Sequence, residues 1–421
     1  MDGKLLIPNE IPRKEPKVRI GIILPSDGIK ILRCSFSDPQ CYEIETSAKI
    51  LPSCKNKKEL NIEINDNNII IPELSLKDKS IKLIPSILDE NPFVKINEVP
   101  AGRGFHWEKK IDLSYWGTIE FSYFKKNIMV INELPLEKYL KCVATSEMSA
   151  ICPQEFLKAQ YIVARSWLLA NIERKHIHLG FDICNDDCCQ RYQGILNTTK
   201  TSNEIADLTF GQVITYENKI CDARYSKSCG GITENFENVW VGNKISYLNS
   251  INDTNSKGIS YCSTHIVPES SLKAYIGTVD DEGKYYRWIY RINNNNLISS
   301  LKINFSLDVK KVLGLNPTKI GASGRIIRLE IIFLNIEDST QNIEINSEYE
   351  IRKILSPTFL YSSAFTVNKI NDEFILEGKG WGHGVGLCQI GALGMALSKK
   401  GAKLILNHYY PGAKINTIYN K

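Results

Sequence analysis

From Pro153 to Arg174 the chain reads PQEFLKAQYIVARSWLLANIER, with apolar residues at 156/157, 161, 163/164 and 167/168 and Gln160 beside Tyr161. That is the period of a helix packed on one face, and Pro153 sits where a first helical turn tolerates proline. Just upstream, LPLEKYLKCVATSEMSAIC predicts a shorter helix that breaks near Ser149. The preceding segments, from KVRIGIILPSDGIKILRCSF to GTIEFSYFKKNIMVINELP, have a different texture: short Ile/Val runs flank turn pairs such as Asp27-Gly28 and Asp66-Asn67, the pattern of β-hairpins. A chain that passes from hairpins into packed helices is α+β in class. After Gly194 the pattern is mixed. Strands are expected at GQVITYE, RIIRLEIIFL and NIEINSEYEIR, the Asn-rich RINNNNLISS reads as a loop, and a final helix is expected from Gln389 into the C-terminal segment. The expected organisation is a flexible tail over 1–16, a β-rich N-terminal domain over 17–110, and a core domain over 111–421 that includes a β-rich segment at 265–370.

Bulk properties exclude several function classes. A chain of 421 residues buries a large core and divides into two or three units. Hydrophobic content of 43% with 24% charged residues is that of a soluble globular protein. The formal charge of +5 is spread over both halves, without the Lys/Arg blocks and interleaved aromatics of a nucleic-acid groove. Its mild excess of base suits an anionic polymer. No apolar run approaches a membrane-spanning length, and MDGKLLIPNEIPRKEPK is too polar for a signal peptide. The expectation is a cytosolic protein or one whose export signal is absent from this sequence.

Three stretches carry chemistry. The first, EGKGWGHGVGLCQIGALGMALSKKG, sets five glycines around Trp381 and His383. A nucleotide is excluded as its ligand: no Asp or Glu follows Glu377 to hold a ribose, too little chain remains for a βαβ unit, and no Gly-Lys-Ser/Thr ends the loop. What remains is a tight turn in which glycines let backbone pack closely. The second is Glu147 in ATSEMSAIC, a carboxylate at a helix break flanked by Met148, Ala150 and Ile151. Burial there would raise its pKa and keep a proton available near neutrality, whereas an arbitrary Glu is more often a cap or a solvated side chain. The third is HIHLGFDICNDDCCQRYQG, where Cys184, Cys188 and Cys189, with His176 or His178 upstream, supply the donors of a four-coordinate zinc site. A disulfide from Cys184 to Cys188 or Cys189 and a buried thiol are the alternatives. The dispersed Cys34, Cys41 and Cys54 read as buried thiols. A cysteine–histidine nucleophile drawn from Cys142, Cys229 or Cys388 with His383 or His408 has no recognisable peptidase signature to support it.

INELPLEKYLKCVATSEMSAICPQEFLKAQYIVARSWLL, DICNDDCCQRYQG, SCGGITENFENVW and GKGWGHGVGLCQIGALGMA with HYYPGAKI stand in the order found in the stage II sporulation protein D and LytB amidase-enhancer family, which the chain resembles from about Lys17 to Ile415. The resemblance implies a glycine loop beside a groove for peptidoglycan glycan strands. It further implies lytic transglycosylase chemistry between N-acetylmuramic acid and N-acetylglucosamine, on strands stripped of stem peptides. Glu147, in TSEM, inherits the role of general acid and then base. Arg165, Tyr225, Ser228, Trp240, Trp381, His383 and Gln389 are the implied sugar-binding or orienting residues, and His178, Cys184, Cys188 and Cys189 match the zinc-binding positions of some members. Cys188 replaces a family histidine there. A structural zinc ion and no organic cofactor are expected, in a location outside the cytoplasmic membrane. Two other classes stand beside this one: an enhancer that binds glycan and stimulates a cell-wall amidase without cutting, and a zinc-dependent hydrolase with an open coordination position.

Overall fold

A computed structural model of the chain describes residues 5–52, 57–86, 91–105, 107–170, 172–277 and 284–421. Two sheets form its N-terminal part. One has seven strands, in the order Ile183–Cys184, Lys17–Ile23, Asn127–Pro135, Thr118–Phe124, Ser80–Pro85, Tyr42–Glu45, Ile50–Leu51. The other has six, in the order Lys109–Trp116, Phe93–Ala101, Ile31–Phe36, Glu59–Asn65, Asn68–Ile71, Leu76–Asp78. Alternation along the strands gives each sheet an apolar face, and Val18, Ile20, Phe121 and Val130 of the first share one core with Ile62, Ile69 and Val94 of the second.

Asp66 and Asn67 take the left-handed conformation between paired Asn65 and Asn68, as the hairpin reading requires. Asp27-Gly28 does not turn a hairpin. Pro25–Asp27 is a short 3-10 turn, and the strands on either side of it belong to different sheets. The β-rich part also runs past residue 110. The strand Thr118–Phe124 pairs with Ser80–Pro85 in the first sheet, and Lys109–Trp116 pairs with Phe93–Ala101 in the second, so a boundary at 110 would split both sheets. Residues 5–16, expected as a flexible tail, are fastened to the fold: Leu6 N–H donates to Asp182 (2.7 Å), Asn9 N–H to the Leu169 carbonyl (3.0 Å), and Glu15 accepts from Glu137 N–H (2.8 Å).

The chain leaves the strand Asn127–Pro135 directly into helix α1, Leu136–Glu147, and α2 follows as Gln154–Ala170. α2 was expected to pack on one face. It is buried on every side from Ala159 to Ala170, because YIVARSWLLA is mostly apolar, its Arg165 and Ser166 have internal partners, and α1, the strand Gln212–Tyr216 and two C-terminal helices enclose it. Those helices, Gln389–Leu397 and Ala402–Tyr409, stand where one was expected. They break at Lys399–Gly401 and are followed by the strand Lys414–Thr417.

A second hydrophobic core belongs to residues 288–376, with Trp288, Leu301, Val312, Ile331, Ile351 and Leu376 among its members. Here two three-stranded sheets pack with the helices Asn294–Phe305 and Glu348–Leu355. The Asn-rich stretch is therefore no loop: Asn293 ends a strand and caps the next helix by accepting from Asn296 N–H. NIEINSEYEIR is half strand and half helix, divided by Ser347, whose hydroxyl accepts from Glu350 N–H.

Candidate active site

α1 ends at Glu147 because Met148 turns extended, at φ −140° and ψ 155°. The last helical residue thus presents a carboxylate whose own carbonyl lacks a helical partner. Lys227 supplies one, its Nζ 2.8 Å from that oxygen. Glu147 is nine-tenths buried, and its carboxylate is unevenly hydrogen-bonded. Oε1 accepts from the Arg191 backbone N–H and from the Tyr225 hydroxyl, each at 3.1 Å, whereas among the described residues Oε2 meets only the Gln389 side-chain amide, at 3.5 Å.

Each partner is placed by its element. Residues 190–193 form a strap across the end of α1, with Arg191 N–H on Glu147 and Gln193 N–H on the Ser146 hydroxyl (3.0 Å). The Arg191 guanidinium bonds Asp187 at 2.9 and 3.1 Å and lies over the Trp107 ring at 4.0 Å. Tyr225 and Gln389 arrive together because Tyr225–Ser226 pairs in parallel with Leu387–Cys388. Burial raises the Tyr225 phenol well above its usual range, and the Glu147 carboxylate adds to the effect, so the hydroxyl stays a donor. Burial pulls Lys227 down to about 8, with Glu147 opposing and Arg191 reinforcing the shift.

The glycine loop wraps an arginine. Arg325 is fully buried and donates to the Gly382 carbonyl (3.1 Å from Nε, 2.9 Å from Nη2) and to the Ser323 hydroxyl (3.0 Å). At Gly384, where φ is +76°, a Cβ would stand 2.4 Å from the guanidinium carbon; at Gly386 it would stand 2.0 Å from the Arg224 carbonyl oxygen. The loop turns His383 edge-on to Trp240, ring centres 4.8 Å apart, and Trp240 in turn stacks on Phe236 and on the Arg224 guanidinium. Burial, with Arg224, Arg325 and Arg352 nearby, pushes His383 well below its usual pKa. Its Nδ1 accepts from Val385 N–H (3.0 Å), and the ring is also hydrogen-bonded to the Tyr225 backbone. His383 is thus a neutral support for Tyr225, not a second acid. Trp381 packs on Tyr361 and Tyr285, at 4.6 and 4.9 Å.

Of the residues expected around Glu147, the structure brings together Tyr225 and Gln389 directly, and His383 and Trp240 behind Tyr225. Two expectations are corrected. Arg165 is fully buried in a two-pronged ion pair with Glu137, which also accepts from Tyr419 and lies ten residues down α1, about 15 Å from Glu147. It ties α2 to α1 and has no surface for a sugar. Ser228 is wholly buried, with its backbone paired to Trp381 and its side chain beside Cys262.

The thiol cluster is present with a different histidine. His176 Nε2 and the sulfurs of Cys184, Cys188 and Cys189 all lie within 4.8 Å of one another, with Cys188 Sγ 3.8 Å from His176 Nε2 and 2.9 Å from Cys184 Sγ. His178 is exposed on the following 3-10 turn, Ile177–Leu179, which points it away. His176 stacks on Phe181 instead, at 5.2 Å. The strand Ile183–Cys184, held beside Lys17–Ile23, fixes one end of this cluster, and the strap that reaches Glu147 begins at the other. Cys34 and Cys41 are buried, and Cys54 lies outside the described residues.

Sequence reasoning missed Arg191, Lys227, Trp107 and Arg325. Arg191 stands inside the quoted CCQRYQG and Lys227 lies between the named Tyr225 and Ser228, but nothing in one sequence says that a backbone N–H and an ammonium face the same glutamate. Arg325 lies in the second core's own hairpin, about sixty residues from the loop it supports.

Comparison with known proteins gives two family matches. Residues 124–216 match the model for the stage II sporulation protein, and 234–386 match a domain of unknown function, DUF8618. An uncharacterized protein of Brachyspira hyodysenteriae is 31% identical over 76% of this chain and 79% of its own length. The amidase enhancer of Bacillus subtilis is 28% identical over 66% of this chain but only 40% of its own length. Stage II sporulation protein D of the same species is 26% identical over 68% of this chain and 76% of its own.

Proposed function

Because the chain belongs to the stage II sporulation protein D and LytB amidase-enhancer family, we propose that it is a peptidoglycan lytic transglycosylase with Glu147 as its single acid–base group. The observation that carries this reading is the asymmetry of the carboxylate. Two donors hold Oε1 and fix the group, while Oε2, with one long contact, is the oxygen suited to carry a proton. Protonated Oε2 gives its proton to the glycosidic oxygen between N-acetylmuramic acid and N-acetylglucosamine as the C1–O bond breaks. The muramic C6 hydroxyl then adds to the oxocarbenium-like C1 and returns its proton to Oε2, closing a 1,6-anhydro ring. The nucleophile belongs to the substrate, so no second carboxylate is needed, unlike the paired groups of hydrolytic glycosidases. Asp187 is in any case engaged by the Arg191 guanidinium.

Zinc at His176, Cys184, Cys188 and Cys189 is part of the proposal. Three thiolates and an imidazole suit that ion, and four protein ligands leave no open position, so its role is structural: to hold the strap that delivers Arg191 N–H to Glu147. The site of action is outside the cytoplasmic membrane, on glycan strands stripped of stem peptides. The name of the amidase-enhancer relative favours a second reading, in which the chain binds glycan and stimulates a cell-wall amidase. The test is digestion of purified glycan, with and without stem peptides, by wild type and Glu147→Gln. The amide keeps shape but cannot donate the proton, so cleavage should fall by about 10²–10⁴-fold while glycan binding persists. Wild-type turnover in the variant refutes the assignment; glycan binding without cleavage by wild type, together with stimulation of an added amidase, supports the enhancer reading.

A further inference from the structure

A second cluster adjoins the glycine loop. Cys229, Asp253, Cys262 and Cys388 bring three sulfurs and a carboxylate oxygen within 4.8 Å of one another, and none is more than 2% exposed. Cys229 Sγ is 3.7 Å from Cys262 Sγ and 3.2 Å from Asp253 Oδ2. With metal–sulfur bonds of about 2.3 Å, the edge of a tetrahedron is about 3.8 Å, so one ion fits among these atoms. The sulfur separation is far longer than the roughly 2.05 Å of a disulfide.

The surroundings are those of a built site. Sulfurs receive backbone N–H groups: Cys388 from Cys229 (3.2 Å) and Gly391 (3.3 Å), and Cys229 from Gly231 (3.3 Å). Such donors stabilise thiolate charge. Asp253 keeps Oδ2 for the cluster while Oδ1 is held by the Tyr409 hydroxyl (2.8 Å) and by His408 Nε2 (3.2 Å). Gly391 has no side chain where a Cβ would stand 2.4 Å from Asp253 Oδ2. The buried Arg325 guanidinium, 3.4 Å from the Cys229 carbonyl, contributes positive charge on the remaining side.

We propose that Cys229, Asp253, Cys262 and Cys388 bind one structural zinc ion, separate from the ion at the His176 cluster. Binding releases the three thiol protons and forms three Zn–S bonds and one Zn–O bond, leaving no open position for a substrate. The ion joins three segments, the outer two 159 residues apart: the turn after Tyr225–Ser226, the bend between Asp253 and Cys262, and the cap of the helix Gln389–Leu397. Tyr225, Lys227 and Gln389, three of the groups around Glu147, are carried on those segments, so the ion fixes their spacing.

The metal content of the full chain, purified without chelator, tests this independently of any glycan activity. A Cys184→Ser, Cys188→Ser double variant, which lacks the first cluster, should retain about one zinc per chain by elemental analysis. Cys262→Ser should hold one equivalent fewer than wild type. Cobalt loaded into the double variant should show the thiolate charge-transfer bands and tetrahedral ligand-field absorption of a sulfur-rich site. A double variant free of zinc, a Cys262→Ser protein with wild-type metal content, or an intact mass two hydrogens short with Cys229 and Cys262 joined would overturn the proposal.

Discussion

At the residue scale, the ordering of Glu147 depends on a cation that burial keeps close to losing its proton. Lys227 falls from 10.5 to about 8, so above that pH it ceases to donate a charged hydrogen bond to the Glu147 carbonyl and to place a positive charge beside the carboxylate. Cleavage by wild type should therefore decline above about pH 8. In Lys227→Arg the alkaline limb should move beyond pH 10, since guanidinium stays charged. Unfolding driven by this group cannot mimic the decline. Its folded pKa lies below its unfolded value, so between about 8 and 10.5 the unfolded chain binds more protons and the contribution to stability rises with pH. A pH–rate profile for both proteins checks this, and an unmoved limb in the arginine variant would assign the titration elsewhere. The place of Glu147 at a helix break was legible from its motif, whereas the contacts of Lys227 and Arg191 with it were not, because those arise from tertiary placement and not from local pattern.

At the element scale, the strap over 190–193 is short and has no regular structure of its own, so the cluster at its base must hold it. Cys184→Ser should lose one zinc per chain and a substantial part of thermal stability, because binding energy at a closed thiolate site is folding energy. Elemental analysis with a thermal melt reads both, and a Cys184–Cys188 disulfide in the native protein would contradict it. Long periodic elements were legible: α1, α2 and the strands near Gln212 and Ile326 follow from side-chain period alone. Errors fell where a single capping residue decides. Asn293 and Ser347 start helices in stretches read as loop or strand, and the 3-10 turn at Pro25–Asp27 looked like a hairpin turn because Asp-Gly suits both. His178 was preferred to His176 on alignment with the family, although the 3-10 turn between Ile177 and Leu179 sends the two rings in different directions.

At the scale of the whole molecule, two cores meet through a small set of buried polar groups. Glu234 accepts from Ala322 N–H and Ser323 N–H (each 3.1 Å) and from the Ser323 hydroxyl, and Arg325 reaches back to Gly382. Glu234→Gln would set an amide NH₂ against these donors, at about 1–3 kcal/mol. It should separate the unfolding of 288–376 from that of the rest, giving a biphasic urea transition where wild type is single; a single transition in both proteins would contradict the joint assigned here. The β-to-α order was legible in the chain, but this two-core division was not, because the second unit is inserted between family motifs that belong to the first core on both sides. The account's central claim is a single carboxylate acting with the substrate's own hydroxyl. Mass spectrometry of strands cut by the wild-type protein tests it most directly. The account predicts 1,6-anhydro-muramic acid ends, one water lighter than hydrolytic products; reducing ends as the dominant product would contradict it.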